Sequence, residues 1–403
     1  MSRPVRVLSL YEGFFAGGAR ILHSDLVSGL HSSAGQEHAV LSIASAAGRE
    51  STVQQMEDDP RYRRLRAAGV GITALGRTAG VHPPERTSFT DEELLRAADA
   101  VAAADVVLSL KEQPVGLLLA LRDRGLIPDV PVAVCLHRSD PLHSGPALGW
   151  LVEATATGLV TATVSCAEST SEAYARAGVT ADSRFVIANG IDTDRFRPGD
   201  TAGDRATRDR LGISDGAPVV VFAARFDAMK DPGLFLRSAA AHARTDPDTH
   251  YVLCGAGMTW DNAAFAALAH ESGVAPSSRV HPLGIVEDMP SVYRIADIVA
   301  LTSAFGEASP LCLVEGAACG ATPVTTDVGD AARRVEGIGV VTSHDASEIA
   351  AAWTDVLAGR GGLREAALAS RPRFGRDRMI EEYRSAVEDL VAARAAEDVA
   401  LAG

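Results

Sequence analysis

Lysine is almost missing from this 403-residue chain. Only Lys111 and Lys230 stand among its 38 basic residues, the others being arginine. A lysine kept against such a bias can serve where a compact point charge suits better than a planar fork. Cysteine is sparse and scattered. Cys135, Cys166, Cys254, Cys312 and Cys319 form no C-x-x-C pair, which excludes a disulfide framework and a zinc knuckle and reads as small buried thiols in a reducing compartment. No apolar run approaches the roughly 18 residues that span a bilayer. The opening MSRPVRVLSLYEG holds an apolar segment of strand length, too short for a signal sequence, so a mature start and a cytoplasmic location are expected. Positive charge is in deficit, 38 Lys and Arg against 52 Asp and Glu for a net charge of −14. That balance disfavours nucleic acid as a partner, and no basic membrane-docking surface is evident. There is no H-E-x-x-H, no G-x-x-x-x-G-K-[ST] and no G-x-S-x-G, which removes a zincin metal site, a P-loop NTPase and a hydrolase elbow.

What is present is a long alternation of strands and helices. The first half offers VRVLSLY, HAVLSI, VGITAL, DVVLSL, VPVAVCLH and TATVSC as strands. TDEELLRAADAVAAA opens with a Thr and a Glu three residues on, a capping box. Residues 47–68 are charge-rich and read as helix and loop. The second half repeats the pattern from PVVVFAARF through HYVLCGAG, SRVHPLG, ATPVTTD and GIGVVT. Alternation of this kind implies an α/β protein with parallel sheets covered by helices on both faces. Two Rossmann-like domains are expected, residues 1–197 and 213–376, joined through a polar stretch near 197–215. The amphipathic C-terminal segment, 377–403, is left over as a closing helix.

The most informative stretch is FGEASPLCLVEGAACG. Glu307 lies in a loop, Glu315 follows eight residues later in a short helix, and Gly320 ends that helix before the strand TPVTT. Pro310 suits an early helical position, and the amides after Glu307 form a helix N-terminus that favours a diphosphate. Two carboxylates flanking a diphosphate can accept hydrogen bonds from hydroxyls on either side, which describes a nucleotide sugar. Arg225 and Lys230, in ARFDAMK, follow a buried strand at the sheet edge where open α/β folds bind ligands. Two cations there can hold a diphosphate and stabilise its departing charge. Each residue also has a bland alternative, a solvated loop charge beside Asp227 or Asp231. Gly17-Gly18 after the first strand offers close backbone approach to a phosphate, or an ordinary strand–helix turn. Gly255-Ala256-Gly257 is a G-x-G after a strand, but Trp260 stands where a dinucleotide fingerprint needs glycine.

Glu307-x7-Glu315, with Arg225-x4-Lys230 and Gly17-Gly18 in order, resembles the signature of retaining glycosyltransferases of the GT4 type. The resemblance spans nearly the whole chain and implies the GT-B fold, two Rossmann-like domains whose parallel sheets face across a cleft. It implies Arg225, Lys230, Glu307 and His137 as catalytic residues. It implies donor contacts at Gly17, Gly18, Gly255, Ile285, Ala308, Ser309, Pro310, Leu311 and Glu315, with Glu315 on the ribose. It further implies that the closing helix packs back on the N-terminal domain. No cofactor or metal is expected; the co-substrate is a nucleoside-diphosphate sugar, with UDP favoured, and the partner is a small-molecule acceptor. The acceptor region departs from any family pattern. Glu12, Lys111, Glu112, Arg138 and Asp140, at or near strand ends of the first half, are the acceptor candidates. Asn189-Gly190 reads as a turn before the interdomain linker. A nucleotide-sugar epimerase of the same fold and a non-catalytic sugar-nucleotide binder remain as alternatives.

Overall fold

The computed structural model describes residues 3–15, 18–31, 35–49, 52–80, 82–199, 201–274, 276–277 and 279–402. The chain divides into two compact units, residues 1–188 with 379–403, and residues 189–378. Among the described residues the first unit carries an eight-stranded sheet. Its strands are β1 (Val5–Tyr11), β2 (Gln36–Arg49), β3 (Thr52–Gln55), β4 (Gly71–Ala79), β5 (Val106–Leu110), β6 (Val132–Leu136), β7 (Ala162–Ser165) and β8 (Ser183–Val186). They run in the order β3-β2-β1-β5-β6-β7-β8, with β4 also paired to β2. All pairs are parallel except β2–β3. The central strands β5 and β6 are buried at every position, as sheets covered on both faces require.

The second unit carries β9 (Val219–Ala223), β10 (His250–Cys254), β11 (Val280–Gly284), β12 (Ile298–Leu301), β13 (Thr322–Thr326) and β14 (Val340–Thr342). The order is β11-β10-β9-β12-β13-β14, parallel throughout. In both units the order reverses beside the first strand, β1 or β9. That topological switch opens a crevice at the carboxyl ends of the strands.

Three local readings change. Residues 47–49 and 52–55 are not helix and loop: β2 runs on to Arg49, and Thr52–Gln55 pairs with it as the antiparallel β3. The polar stretch near 197–215 is not an open linker but contains the helix Thr201–Leu211 within the second unit. Asn189-Gly190 makes no turn. Gly190 lies where a Cβ would meet the Gly375 carbonyl and the Arg376 Cα at 2.7 Å. The Ile191 amide donates to the Phe374 carbonyl at 2.8 Å and the Arg376 amide to the Ile191 carbonyl at 2.7 Å. Glycine there lets two extended segments of the second unit lie against each other, and residues 189–197 pack in that unit.

The closing helix, Arg376–Ala402, presents Met379, Tyr383, Ala386, Val387 and Leu390 at helical spacing to Val7, Leu26, Leu108 and Val164 of the first unit. Its approach is close enough that a Cβ on Gly29 would lie 2.4 Å from Ile380.

Candidate functional site

The second unit's crevice is built by glycine turns. Gly255 follows β10 with φ 137°, and a Cβ there would fall 2.0 Å from the Ala224 carbonyl oxygen. Its amide donates to the Gly284 carbonyl at 2.7 Å, while the Ala224 amide donates to the Cys254 carbonyl at 2.9 Å. The ends of β9, β10 and β11 are thereby tied together beneath an open pocket of about 400 Å³. Arg225, Lys230, Gly255, Ile285, Pro310, Leu311 and Glu315 all line it. Ile285 stands 77% exposed at the rim, an apolar face for a flat ring.

Lys230 is held by its own loop. Asp227 accepts from the Met229 amide at 2.9 Å and from Arg225 Nε at 3.1 Å. Thr302 Oγ1 donates to the carbonyls of Lys230 (3.3 Å) and Asp231 (3.0 Å). The Lys230 ammonium pairs with Glu307 Oε1, which also accepts from Ser303 Oγ. Glu307 is 4% exposed, so this is a buried ion pair. An ammonium has three donors, and the bond to Glu307 uses one. Arg225 is largely exposed, and the Asp227 contact is made through its Nε. The Met229 amide first, and then the cations, hold the Asp227 carboxyl below its usual range.

The Glu307 loop is clamped on every side. Thr326 Oγ1 donates to the Ser303 carbonyl at 2.8 Å, and His344 Nε2 reaches the same oxygen at 2.7 Å. Gly329, with φ 59°, sits where a Cβ would lie 1.8 Å from the Glu307 carbonyl oxygen. Pro310 is the N-cap residue, extended at φ −68° and ψ 113°, so the helix Leu311–Cys319 starts one residue later than the early helical position expected for it. Gly320 ends that helix in the left-handed conformation at φ 98°. Ala308 is buried, and the Ser309 hydroxyl is buried without a hydrogen-bond partner. Glu315 points at Tyr293, whose hydroxyl donates to Oε2 at 3.1 Å. Burial pushes the Glu315 carboxyl up, opposed by the Tyr293 hydrogen bond, and pushes the Tyr293 phenol well up.

Residues 217–359 match the family model described as glycosyl transferases group 1. The matched segment contains every pocket residue named above. Among curated proteins, the D-inositol 3-phosphate glycosyltransferases of Saccharomonospora viridis and Geodermatophilus obscurus are 33% and 32% identical over 49% and 52% of this chain. The chain spans about half the length of these relatives, 46% and 49%. Among solved structures, Anabaena HepE in complex with UDP aligns over 96% of this chain and 100% of its own, with TM-score 0.76 and 18% identity. A glycosyltransferase from Rickettsia africae aligns over 97% and 99%, with TM-score 0.72 and 15% identity. The fold is therefore GT-B.

The remaining sequence candidates lie in the first unit. Gly17 falls outside the described residues; Gly18 is the first residue of the helix Gly18–His31. Glu12 is paired with Arg20 at 2.7 Å, and Arg20 stacks on Phe15 at 3.5 Å from the ring centroid. Lys111 follows β5 with φ 70°, a left-handed backbone that costs a side-chain-bearing residue about 1–2 kcal/mol. Ser109 Oγ donates to its carbonyl at 2.9 Å and its amide donates to the Cys135 carbonyl at 3.0 Å, which fix the conformation. Glu112 is 0% exposed; Tyr174 donates to its Oε1, and its Oε2 has no partner. His137 directly follows β6, with both ring nitrogens buried and unpartnered. Burial, then His23 and Lys111, lower its pKa to about 3, so the ring is neutral. Arg138 Nη1 donates to the His143 carbonyl at 3.2 Å, and Asp140 pairs with His143 at 2.8 Å.

Sequence reading passed over Tyr293, Ser303, His344 and Met289. Met289, Tyr293 and Ser303 lie in a segment read only as helix and strand, His344 lies between a strand and a helix, and nothing in their spacing marks them. It also passed over Asp192-Thr193-Asp194, a spacing that can hold a metal. Asp192 Oδ1 there caps the amides of Asp194 and Arg195 at 3.1 and 3.0 Å, and the carboxylate pairs with Arg376.

Proposed function

We propose that this protein is a retaining glycosyltransferase that moves a sugar from a nucleoside-diphosphate sugar, UDP favoured, to a hydroxyl of a small acceptor without a metal ion. One observation carries this reading: Arg225, Lys230, the Gly255 turn, Leu311 at the helix start and Glu315 line a single pocket. A diphosphate beside Arg225 and Lys230 meets two cations, and Glu315 stands at the ribose end. Tyr293 takes one lone pair of Glu315, leaving the other oxygen free to accept from a hydroxyl. The family match over 217–359 and the names of the relatives support the same reading.

In this reaction Arg225 and Lys230 stabilise the negative charge that grows on the leaving diphosphate. Lys230, fixed in a part-buried place by Glu307, acts with little reorganisation. Glu307 holds the Lys230 ammonium in place and offers its carboxylate at the sugar end. His137 contributes a neutral imidazole that donates or accepts a hydrogen bond without carrying charge.

A panel of UDP, GDP and ADP in a thermal-shift assay tests the base. The cognate nucleotide at a hundredfold excess over Kd is expected to add about 2.7 kcal/mol of stability. A crystal soaked in UDP, GDP or ADP that leaves this pocket empty while the compound settles elsewhere overturns the reading.

A further inference from the structure

Residues 192–196 lie outside the 217–359 stretch, yet two of their side chains reach the wall of the second unit's pocket. Arg195 Nη2 donates to the Glu287 carbonyl at 2.9 Å. Phe196, next to it, is buried and packs on Tyr293 with 6.1 Å between ring centroids. Tyr293 in turn donates to Glu315 at 3.1 Å. The segment itself is firmly tied. Asp192 Oδ1 accepts from the Asp194 and Arg195 amides, and the Phe196 amide donates to the Asp192 carbonyl at 2.8 Å. Arg371 donates to the Thr193 carbonyl at 2.5 Å, and Arg376 pairs with Asp192 at 3.4 Å. The Arg195 guanidinium also lies over the Phe196 ring, 5.4 Å from its centroid.

The loop that Arg195 reaches has little else to fix it. Gly284, with φ 66°, closes β11 by donating its amide to the Met258 carbonyl at 2.8 Å. Beyond it the chain leaves the sheet, and the next helix begins at Met289. Among the described residues the one hydrogen bond between residues 285–287 and another segment is the bond from Arg195. Ile285, Val286 and Met289 line the pocket. With a diphosphate at Arg225 and Lys230 and a ribose at Glu315, this apolar wall is what remains for the base. A wall favours one ring over another only where its atoms are held to about 0.5 Å, and groups bonded behind it supply that hold.

We propose that Arg195 is a positioning residue that sets the base preference of this site, by fixing residues 285–287 relative to the part of the pocket that carries Glu315. The inference rests on the nucleotide-sugar reading of the pocket. Phe196 serves the ribose side through Tyr293, so neighbouring residues of one anchored segment brace both the base wall and the ribose carboxylate. Charge adds a second link. Burial raises the Glu315 carboxyl, and the Tyr293 hydrogen bond and then the Arg195 guanidinium oppose it. Loss of Arg195 frees the loop but leaves Arg225 and Lys230 with Asp227 and Glu307, so the diphosphate contacts are expected to survive.

The test is calorimetric titration of the full chain, as parent, Arg195→Ala and Arg195→Lys, with UDP, GDP, ADP and inorganic pyrophosphate. In Arg195→Ala the best-bound nucleotide is expected to weaken about tenfold. Its lead over the other two should shrink by a similar factor, while pyrophosphate affinity stays at the parent level. Arg195→Lys keeps a donor on a long stem and should recover part of both losses. In turnover, KM for the donor should rise with kcat little altered, since the lost contact serves ground and transition states alike. A base preference unchanged in Arg195→Ala overturns the proposal and leaves the donor reading standing. So does a parent that binds the three nucleotides equally, and so does an equal loss for pyrophosphate and nucleotides, which marks general damage. If the parent binds none of the three nucleotides, the donor reading itself falls and takes this inference with it.

Discussion

Two sheet edges of the same kind have been solved in opposite ways. At the carboxyl end of β9–β12 the charged groups are already partnered: Lys230 with Glu307, Arg225 with Asp227, Glu315 with Tyr293. At the carboxyl end of β1, β5 and β6 the partners are missing: His137 has two bare nitrogens, Glu112 a bare oxygen, Arg138 a bare Nε. A parallel sheet fixes where a ligand goes but not how the empty site satisfies itself. The β9–β12 edge, the second unit's, is preorganised around an internal ion pair. The first unit's edge keeps these polar atoms unsatisfied under burial, each a cost that a bound ligand can relieve.

The sharpest way to break this contrast is to remove the cation of the internal pair. Lys230→Ala should lower kcat by about 10²–10³, and it strands Glu307 in a buried place, which costs about 3–5 kcal/mol of stability. Turnover assays and denaturant unfolding measure the two losses separately. A variant that keeps full turnover removes the diphosphate role from Lys230. Gly255→Ala comes next. A Cβ at 2.0 Å from the Ala224 oxygen cannot be accommodated without moving the β9 end, and at φ 137° alanine is strained as well. A stability loss of about 2–3 kcal/mol with weakened nucleotide binding is expected, read by thermal unfolding and titration.

The difference between the edges also decided what could be read without a structure. The second edge was legible because its chemistry is compressed into short segments. Glu307 and Glu315 are joined by one loop and one helix turn, and Arg225 and Lys230 by one loop, so spacing alone carried the geometry. The first edge draws its groups from Glu12, Lys111 and His137, strand ends far apart in the chain, and no local pattern records that they meet. Strand and helix alternation gave both sheets, since continuous Val-rich runs have few other uses. It missed the β2–β3 pairing because segments that mix small, polar and charged residues, such as Ala46–Arg49 and Thr52–Gln55, lack the apolar run that marks a buried strand. The clamps on Glu307, from Thr326, His344 and Gly329, were invisible for the same reason as the first edge.

Burial of neutral imidazoles should show as acid sensitivity. His23 and His38 are nearly inaccessible, and burial lowers their pKa values to about 4 and about 3. In the unfolded chain a histidine titrates near 6.5. Above that pH neither state binds the proton and the effect is nil. As pH falls below about 6.5 the unfolded chain takes up protons that the folded one refuses, so stability is lost from there down through the folded values. The slope approaches about 1.4 kcal/mol per pH unit for each such histidine. Urea unfolding at pH 7, 6 and 5 checks this, and a flat profile would remove the burial of these rings. Tyr293→Phe tests the second edge more gently. It deletes one hydrogen bond to Glu315, for an expected loss of about 1 kcal/mol in nucleotide binding. The loss should be larger for ribonucleotides than for their deoxy counterparts if Glu315 meets the ribose.

The smallest effect expected separates the two edges most cleanly. Gly18 has nothing within 4 Å of where a Cβ would stand, and its φ is not in the left-handed region. It begins a helix, so Gly18→Ala should leave stability unchanged or raise it by up to about 1 kcal/mol. Gly255 is required by its neighbours, whereas nothing in the fold requires Gly18. If turnover nevertheless falls in Gly18→Ala while the melting temperature holds or rises, the glycine serves a ligand that needs close approach to the backbone. If turnover and stability both stay at the parent level, Gly18 is an ordinary start of a helix, and it has no part in phosphate recognition.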